Sequence, residues 1–128
     1  MDIRLKRAYE EPKPSDGYRI LVDRLWPRGL SKENAKIDYW LKNIAPSTEL
    51  RTWFNHDPAK WNEFKIKYEH ELNGNSDALA FVRDKLSDQT VTLVYGAKDI
   101  EHNHALVIRD IVNKKKIGFL YTLFGYLN

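Results

Sequence analysis

Two polar loops carry the side chains of this chain that are suited to chemistry. The first, residues 23–29, holds an acid and two arginines, and the second, residues 98–104, holds two histidines, two acids, an amide and a lysine. Arginine binds phosphate and carboxylate groups through paired N–H donors. Histidine transfers protons near neutral pH. Together the two loops predict a site for an anionic small molecule.

Nine residues of the two loops have a proposed role. His102 and His104 are the candidates for proton transfer, and Asp23 and Asp99 would orient or assist them. The candidate ligand-binding residues share a cationic, polar or flat side chain, and they are Arg24, Trp26, Arg28, Lys98 and Asn103.

The same residues have a structural alternative. Asp23 could pair with Arg24 or Arg28 only to order a loop. Asn103 or His104 could cap a helix by binding its free main-chain amides. The sequence leaves both interpretations open.

Metal binding is a further alternative for the histidines. His102 and His104 could hold a metal ion with Asp99 or Glu101 as a third ligand. Alternate residues of an extended segment point to opposite sides, so both imidazoles face one ion only where the loop turns. We therefore predict no metal site, and the sequence identifies no cofactor.

Short apolar strands precede both polar loops. Residues 18–22 and 91–95 are nearly continuous apolar runs, which is typical of central parallel strands, and residues 3–9 predict a further strand. Open α/β sheets bind ligands beyond the carboxyl ends of their strands. If the two central strands are parallel, the polar loops should meet in one cleft at the same edge of the sheet.

Helices are expected between the two loops and after the second. Apolar residues at helical spacing predict a helix over residues 31–43. Further helices should begin near Ser47, Asp57 and Ser76, and another should cover residues 105–113. The predicted fold class is α/β, a single compact domain with a small, mainly parallel sheet flanked by helices.

Four separated motifs allow a comparison with known families. They read Asp-Arg-Leu-Trp-Pro-Arg-Gly at 23–29, Ala-Pro-Ser-Thr-Glu-Leu at 45–50, Trp-Phe-Asn-His-Asp-Pro at 53–58 and Glu-His-Asn-His-Ala at 101–105. In register, they resemble the YeaO-like family of bacterial domains of unknown function. The resemblance covers residues 1–113. It implies a compact α/β domain and no established catalytic residue.

Length and composition narrow the class of protein. A chain of 128 residues fits one domain. The absence of Cys excludes disulfides and thiolate chemistry and suits a reducing cytoplasm. The first residues lack the apolar core of a signal peptide, and no apolar stretch reaches the ~20 residues that span a bilayer. We expect a cytoplasmic protein without a transmembrane segment.

The net charge of +3 comes from the end of the chain. Arg109 and residues 114–116 are basic against Asp110, so the rest of the chain is neutral. This distribution argues against a broad nucleic-acid-binding face. Residues 114–128 form a basic and then apolar tail, which we expect to pack on the domain or on a second copy, as in a homodimer.

Two functional hypotheses follow. The first is a small enzyme or binding domain for a phosphate- or carboxylate-bearing small molecule, with nucleotide-like molecules among the candidates. The alternative is a noncatalytic protein-interaction module that self-associates through the C-terminal tail.

Overall fold

A parallel sheet of four strands organises the chain in the computed structural model, which describes residues 2–114. The strands are β1 (Ile3–Arg7), β2 (Tyr18–Leu21), β3 (Tyr39–Trp40) and β4 (Val91–Tyr95). Their order is β1-β4-β2-β3, and each described pair runs parallel. The predicted α/β class with a small parallel sheet is confirmed.

Five helices accompany the sheet within residues 2–114. They are α1 (Lys32–Ala35), α2 (Thr48–Phe54), α3 (Trp61–Asn73), α4 (Ser76–Asp88) and α5, which covers residues 104–114. The Ser47 hydroxyl accepts a hydrogen bond from the Leu50 N–H and caps α2. Asp57 caps a short 3-10 turn (Pro58–Lys60) that leads into α3. The helices expected near Ser47, Asp57 and Ser76 are confirmed.

The core lies on both faces of the sheet. Side chains alternate along a strand, so Ile20 and Val22 join a large cluster with the helices α2 to α5, while Leu21 joins a smaller one with Val94. Residues of β4 are buried throughout. The near-continuous apolar run at 91–95 therefore reports a strand that is covered on both faces.

The helix predicted over residues 31–43 is wrong. Only α1 is helical there, and it ends where Lys36 takes a left-handed conformation with φ of 48°. Strand β3 and a 3-10 turn (Lys42–Ile44) follow. The apolar residues at helical spacing divide between the two faces of the sheet: Ile37 and Trp40 pack on the smaller cluster, and Leu41 and Ile44 belong to the larger one.

Arg19 explains why α1 stops early. Its guanidinium donates to the carbonyl oxygens of Ala35 at 2.8 Å and Lys36 at 3.2 Å, which are the free carbonyls at the end of the helix. Main-chain bonds then join β2 to the segment after α1, with Asp38 N–H donating to the Arg19 carbonyl. A buried side chain of β2 thus redirects the chain into β3.

The C-terminal tail falls mostly outside the described part. Its predicted packing on the domain or on a second copy concerns residues 115–128, which lie outside the described residues, and it stays a prediction. Within residues 2–114, no helix is both long and apolar enough to cross a bilayer.

Candidate functional site

A cleft of about 300 Å³ opens beyond the ends of β2 and β4. The two strands are adjacent and parallel, so the segments that follow them emerge at the same edge of the sheet. The cleft is lined by polar residues of both loops, namely Asp23, Arg24, His102, Asn103 and His104. Residues 23–25 of the first loop and residues 102–104 of the second thus line one cleft.

Asp23 is hydrogen-bonded to the segment that links β4 to the second loop. Its Oδ2 accepts a hydrogen bond of 2.8 Å from the Gly96 N–H, and its main-chain carbonyl accepts one of 2.7 Å from the Trp40 indole. Its Oδ1 is buried and lies 3.2 Å from Nε2 of His104, without an aligned hydrogen bond. The carboxylate is therefore held rigidly by the protein itself.

The imidazole of His104 anchors α5 to the end of β2. Its Nε2 lies 3.0 Å from the carbonyl oxygen of Val22. A carbonyl only accepts hydrogen bonds, so Nε2 carries the proton. In the neutral ring, Nδ1 is then the nitrogen that can accept a proton. Nε2 already carries a proton, so it cannot take one from Asp23.

His102 has the opposite arrangement. Its Nδ1 lies 2.8 Å from Oδ2 of Asp99, so Nδ1 carries the proton and Nε2 is the free nitrogen. The ring edge packs on Trp61 at 5.5 Å between ring centroids. Hydrogen bonds from the Glu101 N–H and from His102 hold the pKa of the Asp99 carboxyl below its usual range. Asp99 thus orients His102 from outside the cleft lining.

Asn103 caps the first turn of α5. Its Oδ1 accepts from the Leu106 N–H at 3.3 Å, and its Nδ2 donates to the Asp99 carbonyl at 3.0 Å. The residue is buried. The amide oxygen of Asn103 therefore caps α5, and the amide nitrogen holds the loop before it. The positive end of the α5 dipole borders the cleft.

Arg24 is the cation built into the wall of the cleft. Its Nη2 donates to the carbonyl oxygens of Pro46 at 3.0 Å and Ala45 at 3.4 Å, and its Nε is buried without a partner. Within residues 2–114 it forms no ion pair. The guanidinium is positioned by uncharged groups, so its positive charge is not neutralised by a neighbouring carboxylate.

Two further residues bring basic side chains to the cleft from α2 and the turn after it. Arg51 lines the cleft and is exposed, and so is His56. His56 follows Asn55, and both have left-handed backbones, with φ of 54° and 46°. A left-handed histidine is energetically unfavourable. Local strain therefore accompanies the presentation of His56 at this site.

The rest of the lining is apolar. Phe54 and Phe64 stack with centroids 4.3 Å apart, and Pro46 and Ala45 lie beside Arg24. Leu25 also lines the cleft and is 67% exposed. Cationic and apolar surfaces thus face the same space.

Three predicted ligand-binding residues lie outside the cleft lining. Trp26 packs on the smaller core cluster, edge-on to Trp40 with 5.5 Å between ring centroids. Its indole N–H donates to the carbonyl oxygen of Leu30. Arg28 and Lys98 are exposed and do not line the cleft. After a bend at residues 24–25, Trp26 and Leu30 pack on the smaller cluster, on the other face of the sheet.

Metal coordination finds no ready-made site in the described residues. Across residues 2–114, no group of three or more His, Asp or Glu residues is arranged to hold a metal ion. His102 and His104 each use one nitrogen for a protein partner.

Arg51 and His56 are not among the site residues predicted from the sequence. Both lie far along the chain from the two loops, in a helix and a turn that reach the cleft through tertiary packing. The available signal was the motif at 53–58, which contains His56 beside the capping residue Asp57.

The fold and the cleft define a small parallel α/β domain with a charged site at the carboxyl ends of its central strands. The chain matches a family described as "Inactive DUF488-N3 subclade" over residues 2–117, and it belongs to that family. It is 44% identical over 110 residues to the uncharacterised protein YeaO of Escherichia coli, which covers 86% of this chain and 96% of that protein. The resemblance to YeaO-like domains is confirmed.

A second relative has the same extent. The uncharacterised protein Rv3073c of Mycobacterium tuberculosis is 40% identical over 111 residues, which covers 87% of this chain and 93% of that protein. No solved structure matches the chain. The matches to both relatives thus cover nearly the whole domain, and the names of the relatives give no activity.

Proposed function

We propose that this chain binds a small anionic molecule in the cleft without converting it chemically. The anion lies against Arg24, with the exposed basic side chains of Arg51 and His56 as further partners. Phosphate and carboxylate are the groups that match a guanidinium.

The observation that carries this proposal is the unpaired charge of Arg24. A guanidinium that is partly removed from water requires a counter-charge or a full set of hydrogen bonds. Arg24 has two carbonyl partners, a buried Nε without a partner and no ion pair within residues 2–114. Asp23, the adjacent carboxylate, instead accepts from Gly96. A bound anion supplies the missing charge.

The lining favours binding over chemistry. Among the described residues it contains no Ser, Thr, Cys, Tyr or Lys, so hydroxyl, thiol and amine nucleophiles are absent from it, and the Asp23 carboxylate accepts a hydrogen bond from Gly96. Nε2 of His104 is engaged by the Val22 carbonyl. The word "inactive" in the description of the family agrees with a binding role.

Calorimetric titration of the whole chain with inorganic phosphate and with benzoate tests the proposal. We expect binding of at least one probe, and a loss of affinity of about ten- to a hundredfold in Arg24→Ala, because hydrogen bonds to charged groups contribute about 1.5–3 kcal/mol. Arg51→Ala should weaken binding by a smaller factor, because exposed ion pairs contribute about 0–1 kcal/mol.

The matched control is Arg28→Ala. Arg28 belongs to the same loop as Arg24, has the same charge and lies outside the cleft lining. Its substitution should leave affinity unchanged. Since Arg24→Ala leaves two carbonyls without their donor, the exposed Arg51 provides a second variant whose folding is not in question. Equal losses in Arg28→Ala and Arg24→Ala, or no binding of either probe by the unaltered chain, would contradict the proposal.

A further inference from the structure

Leu25, which follows Arg24 in the chain, presents an apolar side chain to solvent at the cleft. It is 67% exposed and lines the cleft together with Phe54 and Pro46. Single exposed leucines are ordinary on protein surfaces. Leu25 differs from Ile66, which is 70% exposed on α3 but does not line the cleft. The position of Leu25, beside Arg24 and facing a concave apolar wall, is what points to a ligand.

We infer that the anion bound at Arg24 carries an apolar body about the size of one ring, which packs between Leu25 and the wall formed by Phe54 and Pro46. This inference rests on the proposed function and names the class of ligand: an aryl or similarly compact apolar group joined to a phosphate or carboxylate. Burial of Leu25 against the ligand removes apolar surface from water on both partners.

The size of the cleft sets the size of this body. Small-molecule sites enclose about 300–1,000 Å³, and this cleft of about 300 Å³ lies at the lower end. One ring with one anionic group is therefore a better match than a dinucleotide or a peptide. A bare inorganic anion would leave Leu25 and the apolar wall in contact with water.

The charge of the cleft fixes the direction of the ligand. Arg24 and Arg51 are cationic, and the Asp23 carboxylate is occupied by Gly96 on Oδ2 and lies beside His104 on Oδ1. The anionic end therefore points to the arginines. Leu25 lines the same cleft as the two arginines and contacts the apolar body of the molecule.

Two matched pairs of probes separate the apolar body from the anion. Phenyl phosphate is compared with inorganic phosphate, and benzoate with acetate, by calorimetric titration of the whole chain. We expect the aromatic member of at least one pair to bind about tenfold or more tightly than its partner, the factor that burial of one large apolar side chain gives. A margin in either pair supports the inference and identifies the anion as phosphate or carboxylate.

Leu25→Ser tests the residue itself. Because Leu25 is mostly exposed, this substitution should leave the fold and the thermal midpoint nearly unchanged. It should remove most of the aromatic margin and keep the affinity for the bare anion. Ile66→Ser, an equally exposed isoleucine outside the cleft, should keep both.

The outcomes distinguish this inference from the proposed function. Equal affinity for the aromatic and bare anions, or an aromatic margin that survives in Leu25→Ser, overturns the inference and leaves anion binding in place. Failure of all four probes to bind overturns both.

Discussion

Oδ2 of Asp23 accepts a hydrogen bond of 2.8 Å from the main-chain N–H of Gly96, across 73 residues of sequence. The bond joins the segments that follow the two central strands and holds them side by side. It also explains why position 96 has no side chain, since a Cβ built there would lie 2.9 Å from the same oxygen. The proposed site depends on this close approach.

Replacement of Gly96 by Ala should therefore displace the Asp23 carboxylate. We expect a loss of about 1–3 kcal/mol in the free energy of unfolding, the usual penalty for a buried group that loses its hydrogen bond, together with weaker anion binding. Urea unfolding of Gly96→Ala measures the first effect. Gly74→Ala, where the nearest atom to the new Cβ is 3.4 Å away, is the control and should change stability by no more than about 0.5 kcal/mol. Equal stability of the two variants would show that the approach of Asp23 to Gly96 is not tight.

The left-handed backbone at His56 predicts a gain in stability on substitution. His56→Gly relieves about 1–2 kcal/mol of strain and costs about 0.5–1 kcal/mol through the greater entropy of the unfolded chain, so the variant should be more stable by up to about 1.5 kcal/mol. It should also bind the anionic probe less tightly, because the imidazole no longer lines the cleft.

Asn55→Gly is the comparison for His56. Asn55 has a similar φ of 46° but does not line the cleft, and the short polar side chain of asparagine can bind its own backbone there, which favours this region. Its substitution should give a smaller gain in stability and unchanged binding. A loss of stability in His56→Gly, measured by the same unfolding experiment, would show that the residue is not strained.

The two histidines of the second loop should have opposite tautomers. The Val22 carbonyl requires the proton on Nε2 of His104, and the Asp99 carboxylate requires it on Nδ1 of His102. Nitrogen-15 NMR of the imidazole rings, recorded at alkaline pH where neutral rings predominate, distinguishes the two forms. The same tautomer on both rings would contradict one of the two hydrogen bonds.

Asp99 predicts an acid-sensitive contribution to stability. Hydrogen bonds from Glu101 and His102 lower the pKa of its carboxyl in the folded protein. Stability from a carboxyl with a lowered pKa is present above the unfolded value of about 3.9 and is lost as the pH falls through the folded value.

The difference in thermal midpoint between the unaltered chain and Asp99→Asn measures this contribution. It should favour the unaltered chain at about pH 6 and close as the pH falls below about 4. A difference that is constant over this range would mean that the charge of Asp99 adds nothing to stability.

The sequence predicted the parts of the fold that local patterns control. The apolar runs at 18–22 and 91–95 and the caps Ser47 and Asp57 depend on residues close in the chain, and the structure confirms them. The helix predicted over residues 31–43 was wrong because the apolar residues at helical spacing pack on the two faces of a sheet. In addition, Arg19, which is distant in sequence, binds the carbonyls at the end of α1.

The sequence could predict only the part of the cleft that follows from two neighbouring parallel strands. Asp23 and His104 meet because β2 and β4 are neighbours. Arg28 and Trp26 were predicted in the site because they share a loop with Arg24, but Trp26 packs on the smaller core cluster and Arg28 lies outside the cleft lining. Arg51 reaches the cleft through the packing of α2, which no local pattern in the sequence encodes.

A crystal structure of the chain grown with phenyl phosphate tests the central claim most directly. We expect the phosphate within hydrogen-bonding distance of the Arg24 guanidinium and the ring in contact with Leu25. Electron density for the ligand at Arg28, at Lys98 or elsewhere on the surface, with no ligand in the cleft beside Arg24, would contradict the account.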